Sequence, residues 1–294
     1  MMKQTDLKQA IRNWWAEYPM TYGYEHGFAT YTQEDGTIVK VEIGTREFFE
    51  LADKTFYKWN QSRHNEKGYF GRIFDYEEYA GKPVLEVGCG MGCMAMNWAN
   101  HGAQVTAVDL NPVAVAMTKR RFETFGLGGD IREADGEELP FKDNTFDYAY
   151  SWGVLHHSPN TKKSIAELYR VIKPGARAGV MLYHRHSLMY RFFTEYVDGF
   201  VNMESKFLSP LELASRYGDG DRREGNPHTW PVTKKEVIED LFPQFCNVRI
   251  DVLGIEVEQI MDQWARNFGS KFPRALLNAC IRRWGWSLWI TGKK

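Results

Sequence analysis

Apolar residues recur along this chain in two rhythms. Phe48, Leu51, Ala52, Phe56 and Tyr57 fall at helical spacing within 45–59, which predicts an amphipathic helix because residues three and four apart share a face. Residues 6–17 have helical character too. Val84, Leu85 and Val87 instead form a short run, as do Val105, Ala107 and Val108, and short apolar runs bounded by turn residues read as buried strands. Glu34-Asp35-Gly36, at the middle of 28–43, predicts a hairpin.

From about 80 to 185 the two rhythms alternate. Further strands are expected near 130–134, 146–150 and 177–183, with a helix over 161–172 that Lys173-Pro174-Gly175 stops. This order predicts a parallel sheet wound in right-handed units. Beyond it the pattern predicts a long helix to Met203, an irregular stretch over 209–231, a short helix near 234–241 and last strands near 247–252 and 287–291. There is no internal repeat.

Chemistry concentrates where the first strand ends. Glu86-Val87-Gly88-Cys89-Gly90-Met91-Gly92 runs from strand into a glycine turn that opens a helix, and glycines let backbone bend tightly beneath a ligand. A dinucleotide fingerprint needs Gly-x-Gly-x-x-Gly to seat a pyrophosphate on a helix N-terminus. Here the third glycine comes one residue early, at Gly92, and Cys93 holds the expected place. A phosphate-free cofactor such as S-adenosylmethionine (SAM) fits better, with Glu86 placed for its ammonium. The second strand ends in Asp109, followed by Leu110, where a carboxylate accepts ribose hydroxyls. Asn111-Pro112 then starts a helix as N-cap and first residue. In the acidic loop after the third strand, Asp135-Gly136 is placed for adenine.

Taken in order, Glu86 to Gly92, Asp109, Asp135-Gly136, the run from Phe146 to His157, and Val171-Ile172-Lys173-Pro174-Gly175 resemble the class I SAM-dependent methyltransferases, in particular the small-molecule type similar to the ubiquinone and menaquinone methyltransferases. The resemblance is close over about 80–185 and loose outside. It implies an α/β, Rossmann-like seven-stranded sheet with helices on both faces, plus an aromatic N-terminal extension and a C-terminal lid insertion. It implies a division into 1–80, an extension covering the cofactor site, and 81–294, the methyltransferase domain with an insertion at about 186–231. Expected cofactor-binding residues are Glu86, Gly88, Gly90, Asp109, Leu110, Asp135, Gly136 and Trp152.

Methyl transfer from a sulfonium chiefly requires positioning and exclusion of water. A base serves only where the acceptor carries a proton. His156 and His157, just past the fourth strand, and Tyr183, at the end of the fifth, are the catalytic candidates. His157 is the expected base and His156 the expected loop anchor through backbone hydrogen bonds. His184 and His186 lie where they would cap a helix start. The Asn/Asp-Pro-Pro-Tyr turn of enzymes that methylate amino groups on nucleobases or glutamine is replaced by Ser151-Trp152-Gly153-Val154, and the Glu-His pair of catechol-type relatives by His156-His157. The first argues against nucleobase amino groups, the second against metal assistance.

Composition adds exclusions. Lys+Arg number 37 against Asp+Glu 38, so no excess of positive charge draws the chain to nucleic acid. Arg120-Arg121 and Arg282-Arg283 are expected on solvated helix faces. The start lacks a signal-peptide core and no apolar stretch is long enough to span a bilayer, so a cytoplasmic protein without membrane attachment is expected. Four cysteines, irregularly placed, suit reduced thiols. Cys89 and Cys93 read as small packing residues, and no metal is expected; Asp219 and Asp221 resemble the opening of a calcium loop, without its bidentate Glu.

The leading function is methyl transfer to an oxygen, nitrogen or carbon atom of a small-molecule acceptor in specialised metabolism. Two alternatives share the fold: a cyclase or lyase that uses SAM differently, and a non-catalytic SAM-binding protein. A nicotinamide oxidoreductase is opposed by the displaced glycine. The oligomeric state stays open.

Overall fold

Patterning and caps account for the N-terminal elements. In the computed structural model, which describes residues 4–18, 24–25, 27–33, 35–217, 225–254, 258, 261 and 268–294, α1 (Gln4–Glu17) is followed by β1 (Tyr24–Glu25), β2 (Phe28–Thr32), β3 (Ile38–Glu42) and α2 (Arg46–Trp59). β2 and β3 form the expected hairpin, and β1 adds a third antiparallel strand. Thr45 caps α2, its side chain accepting from the Phe48 N–H at 3.3 Å. Tyr22, Glu34 and 218–224, the last including Asp219 and Asp221 and much of the expected lid, lie outside the described residues.

The apolar runs become β4 (Pro83–Val87), β5 (Gln104–Asp109), β6 (Asp130–Glu133), β7 (Phe146–Trp152), β8 (Ile172–Tyr183), β9 (Cys246–Leu253) and β10 (Ser287–Lys293). They form one seven-stranded sheet in the order β6-β5-β4-β7-β8-β10-β9. β4, β5 and β6 pair in parallel, whereas β10 is antiparallel to both its neighbours. The intervening helices include α3 (Cys93–Asn100), α4 (Pro112–Phe125) and α5 (Thr161–Val171). Asn111 caps α4 with Pro112 in its first turn, as expected.

Several boundaries differ from the sequence reading. α5 ends at Val171 as expected, but β8 begins at once, so Lys173-Pro174-Gly175 lies within the strand. Lys294 pairs with it there: Gly175 N–H donates to the Lys294 carbonyl at 3.0 Å and Lys294 N–H to the Ala176 carbonyl at 2.9 Å. Pro210–Tyr217, inside the stretch read as irregular, is a helix, α6. The long helix before it, Met189–Val201, is wound in wide turns. A helix over Arg274–Trp284 had no counterpart in the pattern. It turns into β10 through Gly285, where a Cβ would stand 2.5 Å from the Leu253 carbonyl oxygen, so only glycine fits.

The chain forms two compact units. The first comprises Arg12–Gly136 with Thr145–Tyr148. Its core joins Phe48, Phe49 and Ala52 of α2 to Met91 and Cys93 beside the glycine turn. Trp98 of α3 is surrounded by Phe74, Tyr76, Tyr79 and Tyr148, with ring centroids 4.6 to 5.8 Å away. These aromatics bury large apolar area and hold the extension in place.

Arg121 corrects an expectation. It is fully buried rather than solvated, and its Nη1 donates to both oxygens of Asp53 at 2.7 and 2.8 Å. Its guanidinium lies 4.6 Å over the Phe49 ring and within 3.4 Å of Met91 Sδ. A buried cation needs such compensation, and only the docking of α2 supplies it. Arg282 and Arg283 are exposed as expected.

The second unit comprises Met1–Ile11, Glu137–Asn144 and Ala149–Lys294. Leu182 and Val180 of β8 lie opposite Leu288 and Ile290 of β10, all fully buried. Glu137, from the acidic loop, is buried too: it accepts from Ser158 Oγ at 2.6 Å and Asn160 N–H at 2.9 Å and pairs with Lys8 at 2.6 Å.

Candidate active site

In the first unit, β4 ends because Gly88, Gly90 and Gly92 adopt φ of 85°, 55° and 80°, a region that favours glycine. Gly88 and Cys89 N–H groups both donate to the Val108 carbonyl, at 2.7 and 3.1 Å, so the turn is folded back onto β5. The glycines serve different ends. A Cβ on Gly92 would stand 2.8 Å from Thr118 Cγ2, whereas one on Gly90 would meet no heavy atom within 4 Å. Gly92 admits a side chain of α4; Gly90 leaves open space above the turn.

Asp109 is locked beneath that space. Its Oδ2 accepts from the Gly90 N–H and its Oδ1 from the Asn111 N–H, both at 2.9 Å. Burial raises this carboxyl above its ordinary range, opposed by the N–H groups of Asn111, Gly90 and Leu110. A carboxylate has about four lone-pair positions, so two bonds fix its orientation and leave capacity to accept hydroxyls. Glu86 is buried near the end of β4, and Leu110, Asp135 and Gly136 are half-buried. Cys89 and Cys93 are buried free thiols, both pushed up by desolvation. They pack, as expected.

Trp152 belongs to the second unit, where its ring lies 5.4 Å from Trp289. So do the catalytic candidates. His156 and His157 occupy a tight 3-10 turn after β7. The His156 ring lies 3.8 Å from Tyr183 and 4.2 Å from His157, and Tyr183 lies 4.4 Å from Trp286. These rings form a contiguous cluster of tilted pairs.

The side chain that anchors a loop is that of His157, not that of His156 as expected. His157 Nδ1 lies 2.9 Å from the His228 carbonyl and 3.0 Å from Thr229 Oγ1. A carbonyl only accepts, so Nδ1 carries the proton and Nε2 the lone pair. Thr229 Oγ1 donates onward to Asn226 Oδ1 at 2.8 Å, which also accepts from the His228 N–H at 3.0 Å. His157 is therefore the side chain that anchors a loop. His156 is fully buried, and among the described residues neither ring nitrogen has a hydrogen-bond partner. Only its carbonyl anchors, accepting from Trp230 N–H at 2.9 Å. Burial, then His157 and His228, push the His156 imidazolium well below its ordinary range.

The segment around His228, within the expected insertion, is tied down by specific contacts. Ser215 of α6 holds it at two points, with Thr229 N–H donating to Oγ at 2.8 Å and Asn226 N–H to the carbonyl at 3.0 Å. At its far end Val232 N–H donates to the Tyr183 carbonyl at 2.8 Å, and Arg185 lies 4.3 Å over Trp230. His228 is shifted down by burial. His184, expected to cap a helix start, instead faces through Nδ1 at 3.1 Å the carbonyl of Gly285, the residue that ends the helix Arg274–Trp284, and burial lowers it to about 4.

Comparison with known proteins places this geometry. Residues 85–180 match the family model described as a methyltransferase domain. A sterol 24-C-methyltransferase of Gibberella zeae is 33% identical over 153 residues, covering 46% of this chain and 40% of that protein. A phthiotriol/phenolphthiotriol dimycocerosates methyltransferase of Mycobacterium ulcerans is 36% identical over 116 residues, covering 39% and 41%. The chain thus spans about two fifths of the length of these two relatives. Among solved structures, the cyclase SpnF aligns with a TM-score of 0.51 at 18% identity, covering 98% of this chain and 95% of that one. A phosphoethanolamine N-methyltransferase of Haemonchus contortus solved with SAM aligns at 0.52 and 17% identity, covering 87% and 62%. At such identities the structures establish the fold.

Proposed function

Since residues 85–180 are a class I SAM-dependent methyltransferase domain, we propose that this protein moves the methyl group of SAM to a small lipid or sterol-type acceptor. The observation that carries the reading is Asp109, oriented by Gly90 and Asn111 N–H groups beside an open glycine turn. That arrangement fits an adenosyl group: a fixed carboxylate for ribose hydroxyls, and backbone that a Cβ would obstruct at Gly90. The relatives whose names specify sterols and phthiotriols motivate the acceptor class.

The cofactor, when bound, supplies a methyl group already activated on a sulfonium. Asp109 would hold the ribose hydroxyls, Glu86 the ammonium, Gly88 and Gly90 would give the backbone cradle, Asp135 with Gly136 would hold the adenine, and Leu110 would supply an apolar wall. The extension, 1–80, serves as a cover, a role supported by Tyr57 of α2, whose hydroxyl donates to the Cys93 carbonyl at 3.0 Å. Where the acceptor atom is a hydroxyl, His157 takes its proton at Nε2, the nitrogen that its Nδ1 contacts leave as base. Tyr183 and His156 position the acceptor. Oxygen, nitrogen and carbon acceptors are all compatible, as is a role in specialised metabolism. Among the described residues no helix is long and apolar enough to cross a membrane; with free cysteines, this supports a cytoplasmic setting.

Incubation with labelled SAM and a panel of sterols and long-chain diols tests the reading. S-adenosylhomocysteine should form only when an acceptor is present. Methylthioadenosine without acceptor would identify a cyclase or lyase instead, and tight SAM binding without turnover a binding protein. Asp109→Ala should weaken SAM by about 100-fold, in line with the 1.5–3 kcal/mol of a hydrogen bond to a charged group. Calorimetry that detects no binding of SAM or S-adenosylhomocysteine to folded protein overturns the proposal.

A further inference from the structure

Buried polar atoms in native proteins are almost always hydrogen-bonded, because each one left unmade costs its full desolvation. His156 and His228 of the second unit depart from this rule together. His156 Nδ1 and Nε2 and His228 Nδ1 are buried without a hydrogen-bond partner among the described residues. Both residues meet His157: its Nδ1 binds the His228 carbonyl and its ring lies 4.2 Å from that of His156.

Both residues are held in place. The His156 ring packs on Tyr183 at 3.8 Å, and its own carbonyl is tied to Trp230. His228 sits between two backbone anchors, its N–H on Asn226 and its carbonyl on His157. Neither ring is an accident of a loose loop. A site that keeps rigid, unpaired polar atoms in an apolar, aromatic setting is organised to receive a polar group from elsewhere.

The surroundings define that group. Burial and the neighbouring imidazoles keep His156 and His228 neutral, and a neutral imidazole offers one N–H donor and one acceptor nitrogen. A hydroxyl, which both donates and accepts, matches two such rings. A carboxylate or phosphate does not, since a neutral imidazole offers it one N–H and no countercharge, and Glu137 already acts on His228 as a negative charge. We propose that His156 and His228 form a recognition site for an uncharged hydroxyl group of the acceptor. The inference rests on the methyltransferase reading for the word acceptor, and it narrows the acceptor to a neutral, hydroxyl-bearing molecule.

The experiment measures binding rather than turnover. Protein loaded with S-adenosylhomocysteine is titrated with cholesterol, octadecanol and 1,2-octadecanediol, each alongside its O-methyl ether and, for octadecanol, stearate. At least one alcohol should bind 10-fold or more tightly than its ether and than stearate, and in spectra of histidine-labelled protein the ring nitrogens of His156 and His228 should shift while those of His184 stay. His228→Leu, and separately His156→Phe, which keeps the stack on Tyr183, should remove the preference while leaving S-adenosylhomocysteine affinity and urea midpoint near wild type; His228→Gln should restore part of it.

Ethers that bind as well as alcohols, a preference that survives both substitutions, tighter binding of stearate, or no binding of any alcohol would each overturn the proposal. The two readings fail separately. Methyl transfer to an acceptor that carries no hydroxyl would sink the recognition site and leave the enzyme. Hydroxyl-dependent binding without S-adenosylhomocysteine production from any acceptor would do the reverse.

Discussion

Arg121 of α4 donates through one nitrogen to both carboxylate oxygens of Asp53 on α2, at 2.7 and 2.8 Å, with the arginine fully buried. The pair ties the N-terminal extension to the helix that packs against the glycine turn. Removing one partner leaves an uncompensated buried charge, which costs about 3–5 kcal/mol. Asp53→Ala should therefore lower stability by roughly 3 kcal/mol in urea unfolding, whereas Asp53→Leu combined with Arg121→Met should recover most of it. A change below about 0.5 kcal/mol for the single variant, the ordinary range for surface positions, would show that the pair is not a structural tie.

The two glycines of the turn should respond differently to the same change. Gly92→Ala places a methyl 2.8 Å from Thr118 Cγ2 at a φ of 80°, so it should cost about 1–3 kcal/mol of stability as overpacking does. Gly90→Ala meets open space at a φ of 55°; it should cost about 1 kcal/mol for the left-handed conformation but weaken SAM binding 10-fold or more. Calorimetry and urea midpoints for both variants give the comparison. Equal loss of SAM affinity, or none at Gly90, would remove the cradle.

His157 offers a split between chemistry and cofactor binding. Its Nδ1 bonds to His228 and Thr229 set the tautomer, and loss of a general base typically costs about 100- to 10,000-fold. With a hydroxyl acceptor, His157→Ala should reduce kcat at least 100-fold while SAM Kd stays within about twofold. Thr229→Val, which leaves the carbonyl partner, should cost far less. Unchanged turnover in His157→Ala would remove it from the mechanism.

Acid should act through the imidazoles. His156, His184 and His228 all lie below their ordinary value, each chiefly because burial disfavours the charged form, and His184 reaches about 4. In the window from about 6.5 downward the unfolded chain binds protons that the folded chain refuses. Stability is then full above the unfolded value and falls as pH drops toward about 4, the His184 limit. Urea midpoints at several pH values between 7.5 and 5 should decline, and His156→Phe should flatten the slope by about one proton, or about 1.4 kcal/mol per pH unit. Parallel slopes would mean that His156 titrates normally.

The cofactor end was the most legible part of the chain. Strand, glycine turn and Asp109 lie close together in sequence, and each leaves a local mark: an apolar run, missing Cβ atoms, a carboxylate at a strand end. Asn111 and Pro112 announced their helix for the same reason, since capping is satisfied within a few residues. Lys173-Pro174-Gly175 follows the end of its helix as expected, but that these residues also open β8 depends on Lys294, far away in sequence and adjacent in space.

Arg121 and Glu137 show the same limit from the other side. Each is a charged residue in a charged neighbourhood, which reads as solvated until Asp53 or Ser158 and Asn160 are brought up to it. The roles of His156 and His157 turned on His228, some seventy positions later, and no spacing rule links them.

Hydrophobic rhythm and local turn chemistry were enough to specify the strands, most helices and the kind of ligand the glycine bend admits, because those preferences arise between residues a few positions apart. Which charges are buried, which imidazole is anchored and which is left unpaired depended on contacts across the folded chain. Desolvation and hydrogen-bond geometry act only once distant segments have met.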